Sequence, residues 1–293
     1  MKTTPECVSC FMKQALLATQ QMTDDPDEAI NALKRAAEFI TSISREKSPA
    51  EYATPIAKAV RSYFGNENPF REEKQRYNAI ALSVYDALAA YVHSSHDPLE
   101  AATRIAAAGN IMDLGIFANI DVEAVVEQAK LTAWALNHIE HLKRNIAEAR
   151  HILYLGDNAG EFVFDRVLVE VLPPHTVTFA VKSGPIANDV TRDDAVQSGM
   201  DQVAEIIETG CDYMGVPLQL CSPRFLDMFR SADVIIAKGM ANFETLSDVN
   251  ANIFFILKAK CNSVAQEIGV KKEGIVLMAQ EVRLSPQKPI RVA

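Results

Sequence analysis

The sequence predicts an α/β multidomain protein, with an N-terminal all-helical domain packed on a Rossmann-like, mostly parallel sheet that has helices on both faces. Three observations predict it. Up to about residue 150, apolar residues recur at three- and four-residue spacing between repeated helix-start signals. Beyond that point, short β-branched and apolar runs alternate with helical stretches, the pattern of strands joined by crossover helices. The chain has 293 residues, 48% of them apolar, enough to bury a core in each of two domains. The boundary is expected near residue 150: 1–150 helical, with a first helix free to pack on the second domain, and 151–293 α/β.

The elements follow in order. Pro5–Met22 opens the helical series. Asp25-Pro-Asp-Glu supplies an N-cap and a proline at the first helical position, and Ala29, Ile30, Leu33, Ala36, Ala37 and Ile40 follow at helical spacing. Ser48-Pro-Ala-Glu is a capping box. A helix from Phe70 to about His93 carries Ile80, Val84, Leu88 and Val92 on one stripe. Asp97-Pro-Leu-Glu starts the next, and Asp121-Val-Glu-Ala starts one expected to reach Arg150. Strands are then expected at His151–Leu155, Thr176–Val181, Asp233–Ala237, Ile253–Leu257 and Gly274–Met278, with a weak one at Glu205–Glu208.

Composition narrows the function. Lys and Arg number 29 against 38 Asp and Glu, a net charge of −9, and no basic run exceeds two residues. Nucleic-acid binding needs clustered cations, so nucleic acid is not the expected partner. The longest apolar run, Ile253–Leu257, is far short of a membrane span, and the first twenty residues have no apolar signal region. Five cysteines, an odd number, fit free thiols in a reducing compartment, and a cytoplasmic location is expected.

In an open parallel sheet, ligands bind at the carboxyl ends of the strands. Those ends carry Asp157, Asn158 and Glu161; Lys182, Asn188, Asp189, Asp193 and Asp194; Lys238, Asn242 and Glu244; and Lys258 and Lys260. Carboxylates and a carboxamide at one edge suit a hard divalent cation, and lysines beside them suit phosphate. Singly, each Asp or Asn is equally at home as a turn former or cap. Gly156-Asp-Asn-Ala-Gly lacks the GxGxxG spacing, and no acidic residue ends the second strand, which disfavours NAD and S-adenosylmethionine. An aspartyl-phosphatase loop of the haloacid-dehalogenase kind would want an Asp where Ala159 stands.

The helical half adds three constellations. Asn68-Pro-Phe is followed by Lys74 and Asn78 on one helix face, Lys74 reading most simply as helix surface. Gly109-Asn110 precedes Asp113, and a mid-helix glycine, costing ~1 kcal/mol against alanine, implies close approach by a neighbour. Cys7-Val-Ser-Cys10 sits at a helix start, where thiol acidity is expected to rise; with Cys261 it forms a possible second metal or thiol site, whereas Cys211 and Cys221 read as core or loop residues.

Five segments carry a family resemblance: Gly109-Asn110-x-x-Asp113; Leu155-Gly-Asp157-Asn158-Ala-Gly-Glu161 with Asp165 downstream; Ile186-Ala-Asn-Asp189-Val; Lys238-Gly-Met-Ala-Asn242-Phe-Glu; and Leu257-Lys258-Ala-Lys-Cys261. The chain resembles the metal-dependent damage-control phosphatases, relatives of the protein first described as an acidic-residue methyltransferase and long catalogued as a domain of unknown function. The resemblance implies one divalent metal, Mn²⁺, Co²⁺, Ni²⁺ or Mg²⁺, held between the domains by Asp157, Asn158 and Asp189. It implies a substrate loop at Met240–Glu244 and a phosphate-binding lysine at Lys258. Asn110, Asp113, Glu161, Lys238, Met240, Asn242 and Glu244 complete the expected substrate contacts, with Asp157, Asp189 and Lys258 as the catalytic set. The Arg-Thr pair that precedes this lysine in the eukaryotic branch is Phe255-Ile256 here, which leaves Lys258 and Lys260 both open. The CxxC with its later Lys-Cys resembles the prokaryotic branch.

The expected activity is metal-dependent hydrolysis of small phosphorylated metabolites, phosphosugars or damaged cofactor intermediates, with metal-bound water or an Asp as nucleophile. A thiol-centred metal-binding or redox module built on Cys7, Cys10 and Cys261 is the alternative of another class, and a nucleotide-binding protein the third.

Overall fold

The computed structural model describes residues 1–111, 122–131, 133–174 and 176–280. In chain order its elements are α1 (Pro5–Gln20), α2 (Pro26–Glu38), α3 (Pro49–Phe64), α4 (Arg71–Ser94), α5 (Pro98–Ile111), α6 (Val122–Leu131), β1 (Trp134–Asn137), α7 (Ile139–Glu148), β2 (Ile152–Leu155), α8 (Glu161–Val171), β3 (Val177–Val181), α9 (Arg192–Gln197), β4 (Glu205–Glu208), α10 (Pro223–Ser231), β5 (Val234–Lys238), α11 (Gly239–Leu246), β6 (Ile253–Lys258), α12 (Asn262–Ile268) and β7 (Ile275–Ala279). Among the described residues, no helix is long and apolar enough to cross a membrane.

The caps read from sequence form as expected. Asp25 accepts from the amides of Asp27 and Glu28, and Ser48 and Glu51 complete a reciprocal capping box. One element departs from expectation. The helix expected from Asp121 to Arg150 is α6, β1 and α7, so a strand interrupts the stretch read as helical throughout. Trp134–Asn137 is a short edge strand with alternating exposure, paired only to β7. A few residues of that kind between two amphipathic helices leave little periodicity to detect.

The sheet has seven strands in the order β1-β7-β6-β5-β2-β3-β4. The run from β6 to β4 is parallel, and β7 pairs antiparallel with β6. Alternate residues of each strand feed two cores. Tyr154, Phe179, Ile236 and Phe254 face α4, α5 and α8, while Leu155, Ala237, Phe255 and Leu257 face the side holding Phe225 of α10, Phe243 of α11 and Val264 of α12. Gly109 lets α5 approach α8: a Cβ there would lie 3.1 Å from Phe164 Cβ, as its mid-helix position implied.

Helices α1 to α3 share a third core around Phe11, Ala15, Ile56 and Val60. They are tied to the sheet's far side. Thr4 Oγ1 lies 2.6 Å from Ser263 Oγ, Asn262 Nδ2 donates to Glu6 at 3.0 Å, and α3 packs on α11. The chain order reverses between β2 and β5: β3 and β4 extend to one side of β2, and β5 and β6 to the other. Ligand crevices form at the carboxyl ends of strands at such a reversal.

Candidate active site

The crevice at that reversal is a cavity of about 520 Å³. Asp157, Asn158, Asn188, Asp189, Met240 and Lys260 line its sheet side, and Leu17 of α1, Met22 just beyond it, Arg61 of α3, Phe70 and Met214 line the other walls. Asp157 stands two residues past the end of β2 and meets the start of α11, which follows β5. A Cβ on Gly239, whose φ is +75°, would lie 1.9 Å from Asp157 Oδ2. Only glycine fits here, on grounds of both space and backbone.

The two loops carrying the carboxylates are stitched together. Val190 N donates to Asp157 O at 2.9 Å, Ala159 N donates to Asn188 O at 2.8 Å, and Asn158 bridges to Asp189. Ala187, just before them, is held at φ 43°, a left-handed conformation that costs an alanine energy and persists only where the surroundings enforce it. Behind this floor, α4 supplies bracing. Buried Lys74 pairs with Asp194 Oδ2 at 2.5 Å, and Asn78 accepts from Gly160 N at 2.6 Å while donating to Asp194 Oδ1 at 3.3 Å. Lys74 is therefore a buried strut and not the helix surface expected of it.

The carboxylates are under electrostatic tension. Burial, then the charges of Glu161 and Asp189, push Asp157 well above the usual carboxylate range. Burial raises Asp189 to about 6, with Lys182 and Lys74 opposing. Lys182 Nζ donates to Gly215 O and lies 3.6 Å from Asp189 Oδ2. That oxygen is buried without a hydrogen-bond partner, although buried polar atoms are nearly always satisfied. Asn158 Nδ2 donates to Asp157 Oδ2 at 2.9 Å and to Glu161 Oε2 at 3.2 Å, so its carbonyl oxygen turns away from both. Two carboxylates, one with an orphaned oxygen, and a carboxamide oxygen are a donor set that fits a hard divalent cation.

Several expected substrate contacts prove to be framework. Lys238 is fully enclosed: it donates to Ala106 O at 2.9 Å and Glu161 Oε1 at 3.0 Å, and it contacts Asp165. Burial opposes its charge, but Asp165 and Glu161 hold its pKa above the ordinary lysine value. It cannot reach a substrate, and Glu161 is turned toward it and Asn158. Asn242 is also enclosed, donating to Lys238 O at 2.8 Å and Gly156 O at 3.2 Å; it fastens the β2 and β5 ends together. Met240–Glu244 is the first part of helix α11, not a loop, and of the expected contacts there only Met240 lines the cavity. Glu244 faces α3, where it accepts from Ala50 N and burial raises it to about 7. Asn110 ends α5 with a side chain outside the described set, and Asp113 lies outside the described residues.

Lys258 and Lys260 separate cleanly. Lys258 pairs with Glu273 Oε2 at 2.6 Å and does not line the cavity; Lys260 does line it, with its backbone N on Met240 Sδ at 3.3 Å. Of the two lysines that the sequence left open, Lys260 is thus the one that lines the cavity. The expected thiol site also changes. Cys7 is buried, Cys10 is exposed, and Cys261 caps α12 by accepting from Val264 N at 3.4 Å. Burial raises both Cys10 and Cys261, with their mutual charge adding to the rise on Cys10. Among the described residues, no three His, Cys, Asp or Glu side chains gather as a metal-binding group.

Sequence reasoning missed Arg61, which joins α3 to the site loops through Pro185 O, Asp212 at 3.2 Å and Glu67 at 3.5 Å. It missed Leu17, Phe70 and Met214 as walls as well. Nothing local marks these residues, because only packing brings α1 and α3 over the sheet edge.

An open α/β sheet with a carboxylate-floored crevice at its switch point defines the class of protein: one that binds a small ligand where the chain order reverses. The chain belongs to the family described as the damage-control phosphatase ARMT1-like domain, which matches residues 3–276. It is similar to damage-control phosphatase PH1575 of Pyrococcus horikoshii, at 35% identity over 290 residues, covering 97% of this chain and 100% of that one. An Archaeoglobus fulgidus protein named damage-control phosphatase is 30% identical, covering 96% of this chain and all of its own. The uncharacterized protein MJ0202 of Methanocaldococcus jannaschii is 34% identical, covering 95% of each. The crystal structure of PH1575, titled a DUF89 family protein, superposes with a TM-score of 0.88 at 34% identity, covering 96% of this chain and 100% of that chain. The family and these relatives make a phosphatase role the general function.

Proposed function

We propose that the chain is a metal-dependent phosphomonoesterase acting on small phosphorylated metabolites in the crevice between α1, α3 and the sheet edge. The observation that carries this reading is the buried Asp189 Oδ2, which accepts no hydrogen bond, beside Asp157 and Asn158 on the cavity floor, with Lys260 on the same wall.

Asp157, Asn158 and Asp189 would hold the divalent cation. When bound, such a cation polarises a phosphoryl oxygen and makes a water more acidic. The chain's own groups do the rest. Lys260 meets the negative charge of the phosphoryl oxygens. Lys182 restrains Asp189 without satisfying it. The Lys238–Glu161–Asn158 chain fixes the carboxamide. Leu17, Phe70, Met214 and Met240 shelter the organic part of the ester from water. Phosphosugars and damaged cofactor intermediates are the substrate classes to try.

The test is phosphate release from a panel of such esters by chelator-stripped protein resupplied with Mn²⁺, Co²⁺, Ni²⁺ or Mg²⁺ singly. Release that requires added metal is the expected result. Equal release with and without metal, or none from folded protein with any metal, overturns the reading.

A further inference from the structure

Away from the cavity floor, a second pair of reactive side chains is brought together by backbone contact. A Cβ on Gly210 would lie 2.5 Å from Ser222 N, and Ser222 N donates to Thr209 O at 2.9 Å. The neighbours of these two residues, Cys211 and Cys221, flank this backbone contact, and the Cys221 thiol donates to Pro217 O at 3.5 Å beside it. Thr209 Oγ1 lies 3.9 Å from Cys211 Sγ. Both cysteines are half-buried free thiols. The nearby Cys221 thiol lowers the Cys211 pKa to about 6, the direction that favours a nucleophilic thiolate.

The span between the two cysteines straps the cavity walls together. Asp212 pairs with Lys58 at 2.5 Å and Arg61 at 3.2 Å, both on α3. Met214 N donates to Thr54 Oγ1 at 3.1 Å, and Val216 N donates to Thr245 Oγ1 of α11 at 2.9 Å. Gly215 O accepts from Lys182, the cation beside Asp189, and Met214 is itself a cavity wall. At the neck, Ser183 N donates to Cys211 O at 3.1 Å, which joins it to the residue after Lys182.

We propose that Cys211 and Cys221 are a reversible redox pair whose disulfide latches this strap in the cavity wall. The oxidant is a hydroperoxide. The Cys211 sulfur attacks one peroxide oxygen, the O–O bond breaks, and the departing oxygen leaves as water or alcohol once protonated; Cys211 is then a sulfenic acid. The Cys221 sulfur attacks that sulfur, the S–O bond breaks, and water leaves. Two thiols lose two electrons in total, the peroxide gains them, and a thiol reductant reverses the change. Contraction from a thiol contact to a bond of ~2.05 Å draws the neck together and limits the play of Met214 and of Gly215 O on Lys182. The regulatory consequence rests on the phosphatase reading; the disulfide does not.

The experiment exposes the reduced full chain to hydrogen peroxide, alkylates the remaining thiols, and maps peptides by mass spectrometry without reduction. A Cys211–Cys221 cross-link, removed by dithiothreitol and accompanied by a Tm several degrees above that of the reduced chain, is expected. In Cys221→Ser, the link is absent and Cys211 is trapped by dimedone as the sulfenic acid. Recovery of both cysteines as alkylated thiols while Cys10 oxidises overturns the proposal, as does a cross-link that leaves Tm unchanged. No readout here is phosphate release, so failure of the phosphatase reading is seen separately, as absence of metal-dependent turnover in the reduced chain.

Discussion

Two groups of buried carboxylates lie a few residues apart at the same sheet edge, and they are built to opposite ends. Glu161 and Asp165 share Lys238, which is wholly enclosed and donates to both. Asp157 and Asp189 have Lys182, held 3.6 Å from Asp189 and committed to Gly215 O. The first group is sealed away from the cavity, with its lysine donating to both carboxylates. The second lines the cavity, and its lysine stands 3.6 Å from Asp189 while donating to a backbone carbonyl. Proteins keep ion pairs of the first kind as framework, because removing one partner strands a charge. They keep the second kind where a cation or substrate completes the set. Side chains with the same chemistry thus divide according to whether a lysine already closes on them or they face the cavity.

That division is open to test. The largest effect is expected for Asp189→Ala, with turnover falling on the order of 10³-fold and bound metal lost, since a cation supplies several kcal/mol to the transition state. Circular dichroism and metal content check it; normal metal and activity would return Asp189 to the scaffold. Lys238→Met should behave oppositely. It leaves Glu161 and Asp165 buried without their cation and should cost about 3–5 kcal/mol in denaturant unfolding. A stable Lys238→Met protein with impaired turnover would move Lys238 into the site.

Gly239→Ala tests the contact between the two strand ends. Its Cβ would displace Asp157, and a misplacement of ~1 Å at a reacting centre costs about 10²-fold in turnover. Lys260→Ala should lower kcat/KM about 10–100-fold with stability unchanged, as loss of one phosphate-facing charge-assisted contact implies. Lys258→Ala removes the ion pair with exposed Glu273, worth roughly 0–1 kcal/mol, and should leave turnover intact. The reverse ranking would restore Lys258 as the phosphate lysine.

The smallest effect concerns pH. Burial holds Asp189 at about 6 in the folded chain, above the unfolded value of ~3.9. A carboxyl raised on folding favours the folded state most below its unfolded pKa, and that advantage is lost as pH rises through 6. A bound cation offsets the loss, so Mn²⁺ should raise Tm more at pH 7 than at pH 5, and Asp189→Asn should flatten the difference. An equal shift at both pH values would detach the cation from Asp189.

The sequence carried more of the fold than of the site. Buried strands such as Ile253–Lys258 announce themselves as apolar runs, and capped helices such as α2 and α3 show their start signals. Trp134–Asn137, half-exposed at the edge, gives neither cue. Residues after strands could be gathered at one sheet edge by topology alone, which located Asp157, Asn158 and Asp189. Topology does not fix which way a side chain turns, so Lys238 and Asn242 were placed with the ligand although they point into the protein. The Lys258–Lys260 choice turned on the same unknown. Arg61 and Leu17 depend on helices packed from the other end of the chain, and no spacing rule reports that.

One arrangement bears on how the protein is made. The cavity wall runs in sequence from Gln14 to Lys260, and Lys260 follows the strand that pairs with both β5 and β7. A nascent chain still missing β6 holds Asp157, Asn158 and Asp189 without Lys260. The crevice is therefore completed late in synthesis, after the acidic floor and the helical walls have emerged, and a chain ended before β6 would carry that floor with one wall missing.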